Sequence, residues 1–317
     1  MNHKWGWRID MKLNYSGLKR AILRNAKQYM PRRALLIRNY QKRIGRKPNL
    51  KNPQTFSDKL AWYILYYRDE RMRICTDKAD VRDYIESVGM GDLLNDCYGV
   101  YERVEDIDWD SLPQKFVMKH TLSGENKGTI LVFDKSTADL EKIKKILHYW
   151  VNEKPLRRAE GGLWVFEKGK MRILIEKLLI DNETDDLPDY KFFCFNGRVF
   201  CTYLIRNSTT QKNRHDGELG ILDRDFRLLP VSDTDFNPIT EQPEKPKNYE
   251  KMVEIAEKLS EPFPHVRVDL YNKDGKIIFG ELTFYSNSGP NIHNPESFDY
   301  ELGEQFILPK RNYWGIG

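Results

Sequence analysis

The sequence lacks the features that several common protein classes require. No stretch of its 317 residues approaches the roughly 18 consecutive apolar residues of a membrane span, so we expect no transmembrane helix. The N-terminus has no apolar core of a secretory signal, which predicts a cytoplasmic protein. The cysteines Cys75, Cys97, Cys194 and Cys201 show neither a CxxC pair nor zinc-ligand spacing, and we expect them to be reduced thiols.

Familiar catalytic patterns are also missing. No Ser-His-Asp or Cys-His set can be nominated, no phosphate loop of the G-x-x-x-x-G-K-S/T type occurs, and no internal repeat is visible. The composition is 40% hydrophobic and 12% aromatic, which indicates a globular protein. With 31% charged residues and a mean hydropathy of −0.68, its surface must be very polar. The length suits one large domain or two to three subdomains.

Positive charge is concentrated at the N-terminus. Residues 1–50 contain 14 Lys or Arg and one acid, so the rest of this chain of net charge +5 is acidic. Asn14–Met30 and Arg32–Ile44 are typical of amphipathic helices separated by Pro31. Such a basic arm can pack on the protein with solvated cations, or residues 1–44 can lie on an anionic membrane surface. Nucleic acid is the least favoured partner because no nucleic-acid-binding fold is recognisable.

A late stretch of the chain predicts a β-hairpin. His265–Tyr271 alternates apolar and polar residues, which is typical of a strand with one buried face. The following Asn272-Lys273-Asp274-Gly275 predicts a type I turn closed by a glycine in the left-handed region. That turn gives a three-residue loop with a G1 bulge, and it sets Asn272 opposite Lys276.

This register gathers polar side chains on one face of the hairpin. It places Arg267 opposite Glu281 and Asp269 opposite Phe279, with Thr283 on the same face. Two carboxylates and an arginine among apolar strands are costly to bury unless something binds there. Carboxylate oxygens side by side suit Mg²⁺. A salt-bridged, solvent-facing strand pair is the alternative, but the polar loop that follows the second strand favours a binding site.

Two helices are predicted before these strands. Thr55 is a candidate N-cap with Asp58 in the first turn of one helix, and a second helix is predicted to begin at Thr76.

Two lysines stand out in predicted strands. Lys119 ends the short buried strand Phe116–His120, and the polar loop Thr121–Gly128 follows it, an arrangement that can lay a flap with backbone N–H groups over phosphates. Lys191 lies in an otherwise aromatic strand before Asn196-Gly197, the strongest short hairpin signal. It is either an edge residue that reaches solvent or a deliberately placed charge.

At this point the sequence resembles the TupA-like branch of the ATP-grasp superfamily, which is associated with bacterial polysaccharide biosynthesis. The resemblance spans roughly residues 45–308. The stretches that carry it are NPQTFSDKLAW (52–62), DKADVRDY (77–84), LPQKFVMKH (112–120), LPDYKFFCFNG (187–197) and FPHVRVDLYNKDGKIIFGELTFY (263–285).

The resemblance assigns roles to individual residues. It implies that Lys119 binds the phosphates of ATP beneath a flap that contains Ser123 and Gly124. The adenine would be read at the hinge formed by Glu176, Lys177, Leu178 and Leu179, and the ribose hydroxyls by Glu183. Lys191 would be a second cation for the phosphates or the acceptor, and Arg267 would steady the transferred phosphoryl group. Asp269, Glu281 and Thr283 would hold Mg²⁺, where Thr283 replaces the asparagine usual in the superfamily and Asn287 is a substitute.

The fold that the resemblance implies is α+β and of ATP-grasp type. The nucleotide would lie between a small lid subdomain (112–180) and a C-terminal, antiparallel-rich sheet (181–317). A basic helical arm (1–50) and a helical or α/β subdomain (51–111) would precede them. The implied cofactors are ATP and Mg²⁺.

The implied activity is that of a ligase. An acyl-phosphate would form on a carboxylate, which we expect to be a uronic acid on a sugar or glycan, and the amine of an amino acid or amino sugar would displace the phosphate. We expect this in surface polysaccharide or capsule biosynthesis, in the cytoplasm or peripherally on the inner face of the membrane. A sugar kinase with the same ATP site, a non-catalytic ATP-binding scaffold, and a glycosyltransferase using Asp108-Trp109-Asp110 or Asp233-Thr234-Asp235 are alternatives.

Overall fold

The three-dimensional structure is a computed structural model that describes residues 30–123, 128–152, 163–167, 169–179, 187–207, 217–285 and 290–315. Gly124, Glu183 and Asn287 lie outside the described residues, as does the predicted helix Asn14–Met30. The remaining site residues are described.

The helices of the described ranges surround two β-sheets. They are α1 (Arg32–Ile44), α2 (Phe56–Tyr66), α3 (Glu70–Thr76), α4 (Val81–Ser87), α5 (Leu140–Asn152), α6 (Tyr249–Ser260) and α7 (Ser297–Gln305). The predicted helix at Arg32–Ile44 is confirmed. Thr55 caps α2 as predicted, because its hydroxyl accepts a hydrogen bond from the backbone N–H of Asp58 at 3.1 Å. None of these helices is both long enough and apolar enough to cross a membrane.

The prediction of a helix starting at Thr76 was wrong. The chain instead ends one helix at Thr76 and begins the next at Val81. Asp77 explains the interruption, because its carboxylate accepts backbone hydrogen bonds from Ala79 at 2.8 Å and Asp80 at 3.2 Å. An aspartate that bonds the backbone two residues ahead favours a turn over a continuous helix. Lys78 therefore sits in a turn between two short helices.

The smaller sheet has four strands in the order β1-β4-β2-β3. Its strands are β1 (Cys97–Tyr101), β2 (Phe116–His120), β3 (Thr129–Val132) and β4 (Ile173–Lys177). Helix α5 covers it, and a hydrophobic cluster that includes Phe116, Leu147 and Ile175 fills the space between them. This sheet takes in β1, which precedes residue 112, the predicted start of the lid.

The larger sheet has six strands in the order β11-β10-β5-β6-β7-β9. The strands after β4 are β5 (Asp189–Phe195), β6 (Arg198–Arg206), β7 (Glu218–Asp223), β8 (Ser232–Asp233), β9 (Asn237–Pro238), β10 (His265–Lys273), β11 (Lys276–Thr283) and β12 (His293–Asn294). All neighbours in this sheet are antiparallel except the short β7–β9 pair, and β8 and β12 pair separately. The larger core packs α2, α3 and α6 against it.

The β10–β11 hairpin differs from the predicted one. Lys273 pairs with Lys276, so the loop has two residues, Asp274 and Gly275, with φ of 53° and 83°. Two consecutive residues with positive φ define a type I′ turn, whose twist matches the strands better than the predicted type I turn does. The predicted pairing of Asn272 with Lys276 was therefore wrong by one residue at the loop.

A β-bulge then shifts the register by a further residue toward the far end of the hairpin. Leu270 pairs with Phe279 and Asp269 pairs with Glu281, so Gly280 is the additional residue on β11. Arg267 lies opposite Thr283, not opposite Glu281 as predicted. The sequence prediction put the bulge in the loop, whereas the structure has it in the middle of the strand. The consequence is that the two carboxylates face each other directly.

We predict that Gly280→Ala weakens the hairpin. A Cβ at this position would lie 2.9 Å from the backbone oxygen of Asp269, closer than real Cβ atoms approach. The free energy of unfolding should fall by about 1–3 kcal/mol because the backbone must shift. Denaturant titration measures this, with Gly91→Ala as the control, because its Cβ would meet only a side-chain carbon at 3.5 Å. Equal stability of the two variants would contradict the tight fit.

Candidate active site

Three charged residues form a row across the middle of the larger sheet. Lys191 on β5 pairs in register with Asp269 on β10, and Asp269 pairs with Glu281 on β11. The Lys191 ammonium lies 2.5 Å from a carboxylate oxygen of Asp269 and 2.5 Å from one of Asp189. Because β5 has strands on both sides, Lys191 is a buried charge inside the sheet and not an edge residue that reaches solvent.

Arg267 joins this row from two residues away on β10. Its Nε and Nη2 each donate to one oxygen of Asp269 at 2.7 Å, a bidentate pair. Nη2 also donates to Glu281 Oε1 at 3.2 Å and to the hydroxyl of Thr283 at 3.1 Å. The Thr283 hydroxyl in turn donates to Glu281 at 3.2 Å. The structure thus brings Lys191, Arg267, Asp269, Glu281 and Thr283 together.

Burial and charge act against each other in this cluster. Burial alone would raise the pKa of Asp269, but Arg267 and Lys191 outweigh it and hold that pKa well below its usual range. Burial would lower the pKa of Arg267, but the charges of Asp269 and Glu281 raise it. Both groups are therefore ionised at neutral pH. Asp269 is 2% exposed, whereas the Glu281 side chain is 42% exposed and is accessible to solvent.

The donor atoms of this cluster fit a magnesium ion that arrives with phosphate. Within the described residues no three His, Cys, Asp or Glu side chains group as a complete metal site. Mg²⁺ commonly takes one or two carboxylates from the protein and further oxygens from phosphates and water. Asp269 and Glu281 provide such carboxylates, which pair directly across β10 and β11.

A second ion-pair cluster lies on the smaller sheet. Glu176 on β4 accepts from Lys119 on β2 at 2.8 Å and from Arg82 on α4 at 3.0 Å. Both oxygens of the buried Glu176 carboxylate therefore contact cations. The role of Glu176 in adenine binding stays a prediction. Because both of its oxygens already contact cations, this geometry favours the hinge backbone over the Glu176 side chain for binding the base.

Lys78 lies between the two clusters, and the sequence reasoning did not select it. Its ammonium donates to the backbone oxygen of Ser123 at 2.6 Å, at the start of the predicted phosphate flap. Burial lowers the pKa of Lys78, Glu281 opposes this shift, and Lys119 adds to it. Lys78 also lines the same space as Lys119 of the smaller sheet and Gly280 of the larger sheet. The stretch DKADVRDY (77–84), one of those that carry the family resemblance, contains this lysine.

A narrow cleft lies where the two sheets face each other, and the cavity within it has a volume of about 30 Å³. Its charged side is formed by Lys78, Arg82, Lys119 and Glu176, and its apolar side by Val81, Leu174, Leu179 and Phe279. Gly280, the bulge residue beside Glu281, also lines it. A second, more open groove continues past Lys177, Leu178 and Leu179 to the tip of the β10–β11 hairpin. The predicted hinge thus borders both spaces.

We predict that Asp269→Asn destabilises the fold and flattens its acid response. Removing the charge leaves Arg267 and Lys191 buried without their shared carboxylate, which should lower the free energy of unfolding by about 3–5 kcal/mol at pH 7. Because the folded pKa is depressed, the carboxylate stabilises the protein fully above its unfolded pKa of about 3.9, and this is lost as pH falls further.

Denaturant unfolding at a series of pH values measures both effects. The wild type should lose stability below about pH 5 more steeply than Asp269→Asn does. Asp225→Asn, which removes an exposed surface carboxylate, is the control and should follow the wild type. If the free energy of unfolding fell in parallel with pH for the wild type and Asp269→Asn, this carboxylate would not be the buried partner described.

Solved structures resemble the chain at low sequence identity. D-alanine–D-alanine ligase from Bacillus anthracis matches 73% of this chain with 18% identity and a TM-score of 0.45. N5-carboxyaminoimidazole synthetase from Staphylococcus aureus, complexed with ADP, gives 74%, 14% and 0.40, and L-amino acid ligase from Bacillus licheniformis gives 77%, 15% and 0.39. The matches span 67%, 51% and 46% of those chains. Likeness at this level does not identify an activity.

The comparison with family sequence profiles is more specific. None of the curated proteins compared matches the chain. The profile of the TupA-like ATPgrasp family matches residues 58–307, which is most of the sequence. The match contains all of the described site residues, from Lys78 to Thr283. The chain therefore has an ATP-grasp fold and belongs to the TupA-like ATP-grasp family.

Proposed function

We propose that the protein is an ATP- and Mg²⁺-dependent ligase that joins a carboxylate to an amine. The observation that carries this proposal is that Lys78 and Lys119 line one cleft together with Gly280, the residue that precedes Glu281 in the charged row of Lys191, Asp269 and Glu281. Phosphoryl transfer requires cations for the phosphates and carboxylates for a metal, and little covalent help. The cleft offers the cations, and β10 and β11 offer the carboxylates next to Gly280 at its edge.

The cleft also suggests how a nucleotide would lie. Lys78 and Lys119 would bind phosphate oxygens, with Ser123 at the edge of the flap. The base would enter between Val81, Leu174 and Phe279, next to the hinge backbone of Lys177–Leu179. The roles of Gly124 in the flap and of Glu183 at the ribose remain part of the proposal and lie outside the described residues.

The chemical steps need positioned groups more than reactive side chains. A substrate carboxylate oxygen would attack the γ-phosphorus of ATP, and the bond to the β-phosphate oxygen would break to release ADP and an acyl-phosphate. An amine would then attack the acyl carbon, lose a proton and expel phosphate to leave an amide. Mg²⁺ held by Asp269 and Glu281, with Thr283 beside them, would neutralise phosphate charge. Arg267 and Lys191 would steady the transferred group through charge–charge contacts.

The association of the family with polysaccharide biosynthesis suggests which substrates the ligase would use. We place the reaction in surface polysaccharide biosynthesis, with a uronic acid carboxyl and the amine of an amino acid or amino sugar. The basic residues 1–44 would hold the enzyme at the inner face of the membrane. A sugar kinase would use the same cations and carboxylates, so the products of the reaction must separate the two activities.

The glycosyltransferase alternative loses its main support. Asp233 is buried and accepts the backbone N–H of Asp235 at 2.9 Å, and Asp235 pairs with Arg43. Asp108 accepts the backbone N–H of Ser111 at 3.3 Å in a turn. Both acidic patterns have structural roles, so neither needs a nucleotide-sugar metal to explain it.

Product analysis tests the ligase proposal. Incubation with Mg-ATP and a panel of uronic acids and amines should yield ADP, phosphate and an amide, detected by mass spectrometry. Lys119→Gln and Glu281→Gln should each lower turnover about a hundredfold or more, since each removes one preorganised charge from the transferring phosphoryl group. Lys251→Gln, an exposed lysine on α6, is the matched control and should keep full turnover. A phosphorylated sugar instead of an amide would establish the kinase.

A separate measurement tests Lys78 as a phosphate ligand. Lys78→Gln should weaken binding of a non-hydrolysable ATP analogue about tenfold or more, because a desolvated ammonium is lost from the cleft. Isothermal titration calorimetry gives the affinity, and adenosine provides the internal control because it lacks phosphates. If Lys78→Gln weakened adenosine and the ATP analogue equally, Lys78 would act on the shape of the cleft and not on the phosphates.

A further inference from the structure

The C-terminal segment of the described chain is held against the end of α2. The backbone N–H groups of Asn312 and Tyr313 both donate to the carbonyl of Tyr66 at 3.1 Å. The Asn312 side chain accepts from the backbone N–H of Arg68 at 2.8 Å and donates to the Arg68 carbonyl at 2.8 Å. These backbone hydrogen bonds give the segment a defined position, so the side chains that it presents form part of the folded surface.

Those side chains combine aromatic rings with guanidinium groups. Arg311 lies over the ring of Tyr66, 4.2 Å from its centroid, and over the ring of Trp314 at 3.7 Å. Trp62 packs edge-on to Tyr66, and Arg33 donates a hydrogen bond to the Tyr66 hydroxyl. We call this set the basic-aromatic surface; its members are Arg33, Trp62, Tyr66, Arg311 and Trp314. Trp314 is 68% exposed.

The basic-aromatic surface continues onto α1. This helix contains five cations and no acid, and its exposed positions include Arg33, Arg38 and Lys42. The sequence before residue 30 adds seven Lys or Arg and one acid. The exposed cations of α1 thus extend the basic-aromatic surface from Arg33, which contacts Tyr66, toward Lys42.

We propose that the basic-aromatic surface, together with the exposed side of α1, docks on an anionic lipid bilayer. Guanidinium groups donate hydrogen bonds to phosphate oxygens in the plane of the group. Aromatic rings that stack on the faces of a guanidinium leave these in-plane donors accessible. An exposed tryptophan suits the interface between headgroups and acyl chains, where its apolar ring leaves water. A second copy of this chain fits less well, because a self-complementary contact would set these cations against each other.

This surface is independent of the cleft that would hold the nucleotide. None of its members belongs to the two ion-pair clusters or lines the cleft. The bilayer contact therefore stands whether or not the ligase activity is found. It also adds folded, C-terminal residues to a membrane contact that the sequence offered as one of two alternatives for residues 1–44.

Co-sedimentation of the full chain with vesicles tests the proposal. Phosphatidylcholine vesicles with roughly 30 mol% phosphatidylglycerol should bind the wild type at least tenfold more tightly than pure phosphatidylcholine, and added salt should weaken this binding. Arg311→Gln should reduce the partition coefficient about fivefold, which corresponds to about 1 kcal/mol for one cation near the surface. Trp314→Ala should reduce it by a similar factor through loss of interfacial contact.

Matched controls lie elsewhere on the protein. Lys251→Gln removes an exposed lysine of α6, and Tyr149→Ala removes an aromatic ring of α5 that is 60% exposed. Both should partition as the wild type does, and melting temperatures should confirm that every variant is folded. Failure of the wild type to bind anionic vesicles, or unchanged binding of both Arg311→Gln and Trp314→Ala, overturns the proposal. So does a dimer, measured by light scattering, that either of these two variants dissociates.

Discussion

The buried contact of Asp269 with Arg267 and Lys191 is the interaction on which the rest of the site depends. An ionised carboxylate in the middle of a sheet is tolerated only when its charge is matched and its oxygens are hydrogen-bonded. Asp269 meets this condition through one cation from its own strand and one from the neighbouring strand β5. The pairing of β5 with β10 and the charge balance of the site therefore require each other, so neither can change alone.

The two ion-pair clusters follow the same physical logic on opposite sides of the cleft. In each, cations are held by protein carboxylates: Lys119 and Arg82 by Glu176, and Lys191 and Arg267 by Asp269. A phosphate that entered the cleft would replace a carboxylate as the partner of these cations. No cation would then have to be recruited from solution. Such preorganised charges reorganise little when new charge develops, which makes them effective in phosphoryl transfer.

Local sequence signals predicted the elements that depend on neighbouring residues. The helix Arg32–Ile44, the Thr55 cap and the Asn196-Gly197 hairpin are all confirmed, because residue period, capping chemistry and turn propensity act over a few positions. The hairpin pattern placed Asp269, Glu281 and their neighbours on one face, whereas only the family resemblance joined Lys191 to them, because β5 is far away in sequence. The hinge, flap and metal roles stay predictions, since geometry places those residues without showing what they bind.

The errors fall where distant contacts decide the outcome. Asn272–Gly275 permits more than one turn, and only the bulge at Gly280 makes the type I′ loop compatible with Asp269 facing Glu281. The sequence did not single out Lys78, because Ser123 and the other cleft residues around it are far away in sequence. Gly280 lines the cleft and immediately precedes Glu281. The bulge therefore sets the position of the Glu281 carboxylate relative to the cleft between the two sheets.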